Sequence, residues 1–475
     1  MRISEIFRLE ATQAELDFIN IDIERDTPLF LDPFFLSIRE DNFSLVCTRT
    51  IRSFFQRVID LIRNNQIDDA RRLFSHLREP NSTCLGLSKG RPQGRGVGNL
   101  DTNKIFNRIV GSRAIQTGLL QDLEDSVLFV DQFDKDKLSD MTTNIIREHL
   151  INYTNNQCRF HGIPLANEVP SGYYWNPQFL RWETSYCEHL VIEGRKILLV
   201  PKGVVSYKKQ YTARRYYQHF VTNYLQNESL ELNSALVQRR ADGRRFVTKK
   251  DIQERNPFSK DFLREFTRLH PEVLTEFKEN TEVNSLTNSE LADINLEQIC
   301  NNLIARLRTI QTGNEEATAY HKLVKAILEL IFYPNLINPI LENEIHDGRK
   351  RIDITFDNAA SSGIFHRFSN NMDLPSQYIM VECKNYSSDP VNPELDQLSG
   401  RFSPNRGKVG LLLCRELRNK DLFFRRCQDT YRDQRGLIIP FTDLDLIEIL
   451  ENYNDWNRDY IERKLSDIVR EITIG

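Results

Sequence analysis

A two-part fold is expected. Residues 286–475 form an α/β domain with an α-β-β-β-α-β core, its mixed sheet flanked by helices, and residues 1–285 form a helix-rich α+β region, with room for two subdomains. Three observations predict this. After residue 313, short apolar runs of period 2 alternate with segments of period 3.6 in the order α-β-β-β-α-β-α-β-α. Before residue 280, helical spacing dominates. Between them, TEVNSLTNS at 281–289 is polar and poor in apolar side chains, as a segment joining two cores should be.

Composition supports a folded chain. The 475 residues are 40% hydrophobic and 27% charged, enough apolar material for at least two cores. No run approaches ~18 apolar residues, so no membrane span or membrane partner is expected. The opening stretch MRISEIFRLEATQAELDF carries four acids and no apolar signal core. The eight cysteines are scattered singly with no CxxC, which argues against zinc ribbons and fits a reducing cytoplasm.

The elements follow in chain order. Residues 49–78 read as two amphipathic helices around Asn64-Asn65, with Phe54, Val58, Leu61 and Ile62 at helical spacing. CLGLSKGRPQGRGVG at 84–98 is a Gly- and Arg-rich loop without the GK[ST] ending of a P-loop. Residues 102–124 and 139–153 read as helices, the second capped by Ser139. KILLVPKGVV at 196–205 reads as a strand interrupted by Pro201, and 250–279 as helices broken at Pro257 and Pro271. A helix at 314–332 precedes strands at 338–345 and 350–356, joined by a turn at Asp347-Gly348. The strands YIMVECK (378–384), KVGLLLCR (408–415) and GLIIP (436–440) alternate with helices at 393–402, 419–432 and 442–451.

Net charge is −4, but residues 201–250 hold eleven cations against three acids. KKQYTARRYYQHF (208–220) interleaves Lys208, Lys209, Arg214 and Arg215 with tyrosines, and QRRADGRRFVTKK (238–250) contributes Arg239, Arg240, Arg244 and Arg245. Such a block can neutralise phosphates. The alternatives are a solvated face, or long stems packed on the acidic stretch 251–300.

The chemistry lies in RKRIDITF and YIMVECKNY. Asp353 alternates with the apolar Ile352, Ile354 and Phe356. Glu382 and Lys384 are two apart on a strand, so both project to one face, ~6.6 Å apart. On neighbouring strands ~4.8 Å apart, Asp353 and Glu382 can share one metal ion. A carboxylate and a lysine in an apolar strand are costly unless paired or metal-bound. The other reading of Glu-x-Lys is a surface ion pair.

Segments 313–450 resemble the PD-(D/E)xK nuclease superfamily, the restriction-endonuclease-like fold. The resemblance rests on GRKRID (348–353), VECK (381–384), the helix before them and the Gln-bearing helix after. Ile352 stands where the name-giving proline would be. VECKNYSSDPVNPELDQLSGRF is similar to the subset that includes Mrr-like and phage-defence nucleases. The resemblance implies that Asp353, Glu382 and the Cys383 backbone carbonyl hold Mg²⁺, for which Mn²⁺ can substitute, and that Lys384 positions or helps deprotonate the attacking water. It implies a further acid from the first helix. Glu316, aligned with Tyr320, Leu323 and Ile327, is preferred over Glu315, which completes a capping box with Thr312. Gln397 and Arg401, four apart on one helical face, are placed near the scissile phosphate or the lysine; the alternative is a surface pair. Arg349 and Lys350 beside Asp353 are expected to touch phosphate, whereas His321, His346 and His366 lack ligand-like spacing.

The expected function is a Mg²⁺-dependent DNA endonuclease, a bacterial defence effector against phage. An RNA-cleaving or DNA-repair nuclease is the second reading, and a non-catalytic nucleic-acid-binding module the third. One active site per chain implies a homo-oligomer, a dimer or larger, for a double-strand break. The absence of an ATP-binding motif assigns any energy use to a partner protein.

Overall fold

The computed structural model describes residues 1–9, 11–39, 41–77, 80–86, 106–110, 123–131, 133, 135–206, 211–240, 244–281, 295–345, 350–454 and 458–474. The chain is mixed α+β, and its buried apolar side chains gather in two clusters. One runs from Ile3 to Phe277; the other, from Ile299 to Ile472, also takes in Ala14. The polar segment expected to join them falls mostly outside the described residues. Among those residues no helix is long and apolar enough to cross a membrane.

The first cluster is built on helices. In α1 (Asn42–Arg63), Cys47, Ile51, Phe54, Val58 and Leu61 recur at three- and four-residue intervals and are buried together. Asp41 caps it, accepting the Ser44 N–H at 2.8 Å. The turn to α2 (Ile67–Phe74) passes through Asn65 at φ 60°, a conformation asparagine tolerates better than most residues. α3 (Lys135–Ile145) and α4 (Arg147–His161) follow. Ser139, expected to cap a helix, lies inside α3, and its Oγ accepts the Leu31 N–H instead. The stretch 197–200 is buried without being a strand; Pro201 makes a single bridge to Phe18, and a paired strand resumes at Val205–Ser206. Residues 166–196 form short two-stranded ribbons, and α5 (Lys249–Arg255), α6 (Lys260–Leu269) and α7 (Pro271–Thr281) break at the expected prolines.

The second cluster surrounds a five-stranded sheet in the order β1 (Leu336–Ile345), β2 (Lys350–Asn358), β3 (Tyr378–Lys384), β4 (Val409–Cys414), β5 (Leu437–Thr442). The first three pair antiparallel and the last three parallel, so the sheet is mixed. α8 (Leu296–Thr309) and α9 (Ala317–Phe332) precede it, and α10 (Gly363–Asn371) lies between β2 and β3, where the sequence pattern predicts no helix. α11 (Asn392–Ser399), α12 (Lys420–Arg432), α13 (Asp443–Glu451) and α14 (Asp459–Ile474) complete the domain, the last also absent from the sequence pattern.

Register divides the faces. Thr355 pairs with Met380 and Asp357 with Tyr378. Asp353, Thr355 and Asp357 therefore share one face with Tyr378, Met380, Glu382 and Lys384. Ile354, Phe356, Ile379, Val381 and Cys383 occupy the other, all buried. Gly410 on β4 lets α11 and the turn after it approach the first face closely. A Cβ there would lie 2.9 Å from Phe402 Cζ and 3.0 Å from Leu398 Cδ2.

Candidate active site

The β2–β3 register alone sets Asp353 beside Glu382. Ile354 pairs with Val381, so the next step along both strands aligns the two acids. Asp353 Oδ2 accepts the Cys383 N–H at 2.8 Å, which ties the carboxylate across the strand gap. Glu382 is 1% exposed. Its Oε1 accepts from Lys384 Nζ at 2.7 Å, and its Oε2 is ion-paired with Arg401. Gln397 Oε1, from α11, accepts a second Lys384 N–H at 3.1 Å. Asp353, Glu382, Lys384, Gln397 and Arg401 thus form one cluster from β2, β3, α11 and the residues just after it.

The electrostatics follow from burial. Desolvation raises the Glu382 pKa, the Asp353 charge raises it further, and Lys384 and Arg401 pull it back without reversing the shift. Burial acts to lower the Lys384 pKa, but the adjacent Glu382 outweighs it and the net shift is upward. Lys384 is therefore a cation in this arrangement, and its positive charge sits on the same face as two acids.

Asp353 and Glu382 are the carboxylates a hard divalent ion would use here, and both Glu382 oxygens are already paired with cations, Lys384 and Arg401. The buried Glu382 and the half-buried Asp353 stand on adjoining strands and repel each other, and Mg²⁺ is commonly held by one or two carboxylates with water and phosphate oxygens completing its shell. Among the described residues, no group of three or more His, Cys, Asp or Glu side chains is placed to hold a metal. The third expected ligand, the Cys383 carbonyl, lies 3.1 Å from His321 Nε2, a contact that no spacing in the sequence indicates. The Cys383 thiol is itself pushed well up by burial, toward the neutral form.

Other expected residues are placed differently. α9 begins at Ala317 with Glu316 as its N-cap residue, and the Thr312–Glu315 capping box does not form. The Glu316 carboxylate accepts the Gln311 N–H and makes no hydrogen bond or ion pair with Asp353, Glu382 or Lys384. Arg401, expected to meet nucleic acid or to pair with Gln397 at the surface, is instead 3% exposed and bound to Glu382. The close approach of α11 at Gly410 carries the following turn inward. His366 pairs with Asn370 on its own helix. Arg349, His346, Lys208 and Lys209 lie outside the described residues, as does the Lys350 side chain.

In the basic block the cations and the tyrosines separate. Arg214 and Arg215 are exposed, but Tyr211, Tyr216 and Tyr217 are buried in the first core and are not a stacking surface. Tyr211 lies between Phe34 and Phe277 and donates to Asp125 at 3.2 Å. Arg239 and Arg245 are direct partners in an exposed two-stranded ribbon, with Arg240 and Arg244 at its turn end, also exposed. Like charges facing each other across a ribbon are unfavourable unless something anionic offsets them.

A family model described as a domain of unknown function (DUF8370) matches residues 8–212. No curated protein and no solved structure matches the chain.

Proposed function

We propose that this protein is a metal-dependent endonuclease that hydrolyses phosphodiester bonds in DNA, on a restriction-endonuclease-like α-β-β-β-α-β core with α10 inserted. The observation that carries this reading is the convergence of Asp353, Glu382 and Lys384 on one sheet face, with Glu382 held between Lys384 and Arg401. Mg²⁺ or Mn²⁺, when bound, lowers the pKa of water and stabilises charge developing on the phosphate. Asp353 and Glu382 would hold that ion through oxygen, helped by the Cys383 carbonyl. Lys384 presents its charge to the attacking water and the phosphate without competing for the metal. Gln397 orients the Lys384 ammonium, and Arg401 acts as a positioning residue whose charge offsets part of the cost of burying the Glu382 carboxylate.

DNA and RNA substrates separate the readings. Purified protein with Mg²⁺ should cut supercoiled or linear DNA, and EDTA should stop it. Cleavage of RNA alone would favour an RNA nuclease, and tight binding with no cleavage of either would favour a non-catalytic module. A defence role against phage, a homo-oligomer that cuts both strands and a cytoplasmic setting complete the proposal.

The exposed arginines supply the phosphate contacts in this reading. The double variant Arg214→Ala/Arg215→Ala should weaken duplex binding and make the log–log salt slope shallower by ~0.9 for each phosphate the two arginines neutralise. An identical slope in titrations of wild type and variant from low to moderate salt would return these residues to ordinary surface.

A further inference from the structure

The sheet face that carries Asp353 and Glu382 continues into a cavity of about 370 Å³ between the two cores. Its floor is Thr355, Asp357, Tyr378 and Met380, on the same face as the acids. Thr355 and Met380 stand one same-face step, ~6.6 Å, from Asp353 and Glu382. Its roof comes from the first core: Phe43 near the start of α1, and a face of α4 made by His149, Asn152, Tyr153 and Asn156.

That roof is unusual for a helix packed over a sheet. Spacings of three and four residues place these side chains on one stripe, the stripe that is normally apolar at such a contact. Here it presents two amides, a histidine and a tyrosine whose hydroxyl is already tied to Asp17 at 2.6 Å. His149 Nε2 meets Thr50 Oγ1 at 2.9 Å, so the unpartnered atoms lie on the floor and the cavity edge. Thr355 is 6% exposed, and its Oγ1 makes no hydrogen bond among the described residues; nor do Asn338 Oδ1 and Arg406 Nε, which also line the cavity. Buried polar atoms without partners are costly and rare, so several around one cavity point to a ligand that completes them.

The lining selects the ligand's chemistry. Phe43, Tyr153 and Tyr378 offer flat aromatic surface. Asn152 and Asn156 each carry an amide donor beside an acceptor, the pattern that matches the edge of a nucleobase, whereas Asn338 Nδ2 already donates to Asp357 Oδ2 at 3.1 Å and offers only its Oδ1. Arg406 is the cation in the lining and suits a phosphate. Burial pushes the Asp357 carboxyl up to about 8, so at neutral pH it is mostly protonated and does not repel an anion. The volume lies near the lower end of the ~300–1,000 Å³ range of ligand pockets, which suits one nucleotide rather than two.

We propose that this cavity binds a single nucleotide unit, base against the aromatic walls and phosphate toward Arg406. The unit is either a free nucleoside monophosphate or one unstacked residue of a nucleic-acid strand. The site stands apart from the metal-dependent chemistry proposed above, and its test needs no turnover.

Calorimetry on the full chain in EDTA should be run with AMP, GMP, CMP and UMP, and separately with a short single-stranded oligodeoxynucleotide. The variants are Asn156→Leu and Thr355→Val, each checked for an unchanged melting temperature. Binding of a mononucleotide that weakens ~10-fold or more in either variant supports the free-ligand form. Binding of the oligonucleotide alone, weakened in the same variants, supports the strand form. If none of these probes binds at millimolar concentration, or if binding ignores both variants, the site is not a nucleotide site. A protein that binds here yet cleaves nothing would keep this inference and lose the nuclease reading; one that cleaves but fails here would lose only this.

Discussion

Asp353→Asn is expected to remove metal-dependent DNA cleavage, a loss of ~10³-fold or more, while the melting temperature stays close to wild type. The substitution is chosen on structural grounds. An asparagine Oδ1 can still accept the Cys383 N–H that Asp353 Oδ2 accepts at 2.8 Å, so the strand gap remains bridged while the metal loses a charged ligand. Lys384→Met should reduce cleavage comparably, because it removes the ammonium that Glu382 and Gln397 hold on the acidic face. Glu382→Gln should be equally inactive but also less stable. It leaves Lys384 and Arg401 buried without their counter-ion, and breaking such a pair costs ~3–5 kcal/mol. Supercoiled-plasmid cleavage, with calorimetric melting alongside, reads both effects. Wild-type rates in Asp353→Asn and Lys384→Met would refute the site.

The second large effect is on stability against pH. Lys325 and Glu329 are one helical turn apart on α9, both nearly fully buried, with Nζ and Oε2 3.6 Å apart. Burial raises the Glu329 pKa from 4.5 to about 7, and burial lowers that of Lys325 from 10.5 to about 8. Lys325 also lies 3.3 Å from His161 Nε2 and over the Phe160 ring, so the pair sits where α9 meets α4 of the other core. A carboxyl whose folded pKa exceeds its unfolded value stabilises the fold fully below the unfolded value and ceases to do so as pH rises through the folded one. Glu329 therefore costs the fold ~3 kcal/mol on going from below pH 4.5 to above pH 7, at 1.36 kcal/mol per unit. The Glu329→Gln variant should lack this slope. Urea unfolding of both proteins at pH 5 and pH 8 measures it, the wild type losing more stability than the variant. Parallel profiles would show that the carboxyl titrates normally. Lys325 acts in the opposite sense at higher pH: the folded state holds fewer protons between pH 8 and 10.5, so stability gains there.

The regular elements are largely legible in the sequence because their signals are local. YIMVECK reads as a strand over 378–384, and the structure places a strand at those bounds. Alternation in RKRIDITF puts Asp353 opposite the apolar positions, and the β2 register agrees. Pro257 and Pro271 end helices where expected, for a proline offers no amide to the helix ladder. The short ribbons at 166–196 are not legible, because strands of two to five residues carry too few alternations to stand out.

Sequence by itself determined which side chains share a strand face and a helix face, since periods of 2 and 3.6 are set by the backbone geometry of each residue and its neighbours. That was enough to pair Glu382 with Lys384, but not Gln397 with Arg401, because α11 ends at Ser399 and Arg401 lies in the turn after it. Tertiary structure decided what those faces meet. It buried Arg401 against Glu382, took Tyr211, Tyr216 and Tyr217 out of the basic surface into a core, kept Glu316 within its own turn, and set the amides of α4 over Thr355. Each of these depends on contacts between residues far apart in the chain, and burial, which sets the cost of a charge or an unpaired polar atom, is a property of the packed molecule and not of any local segment.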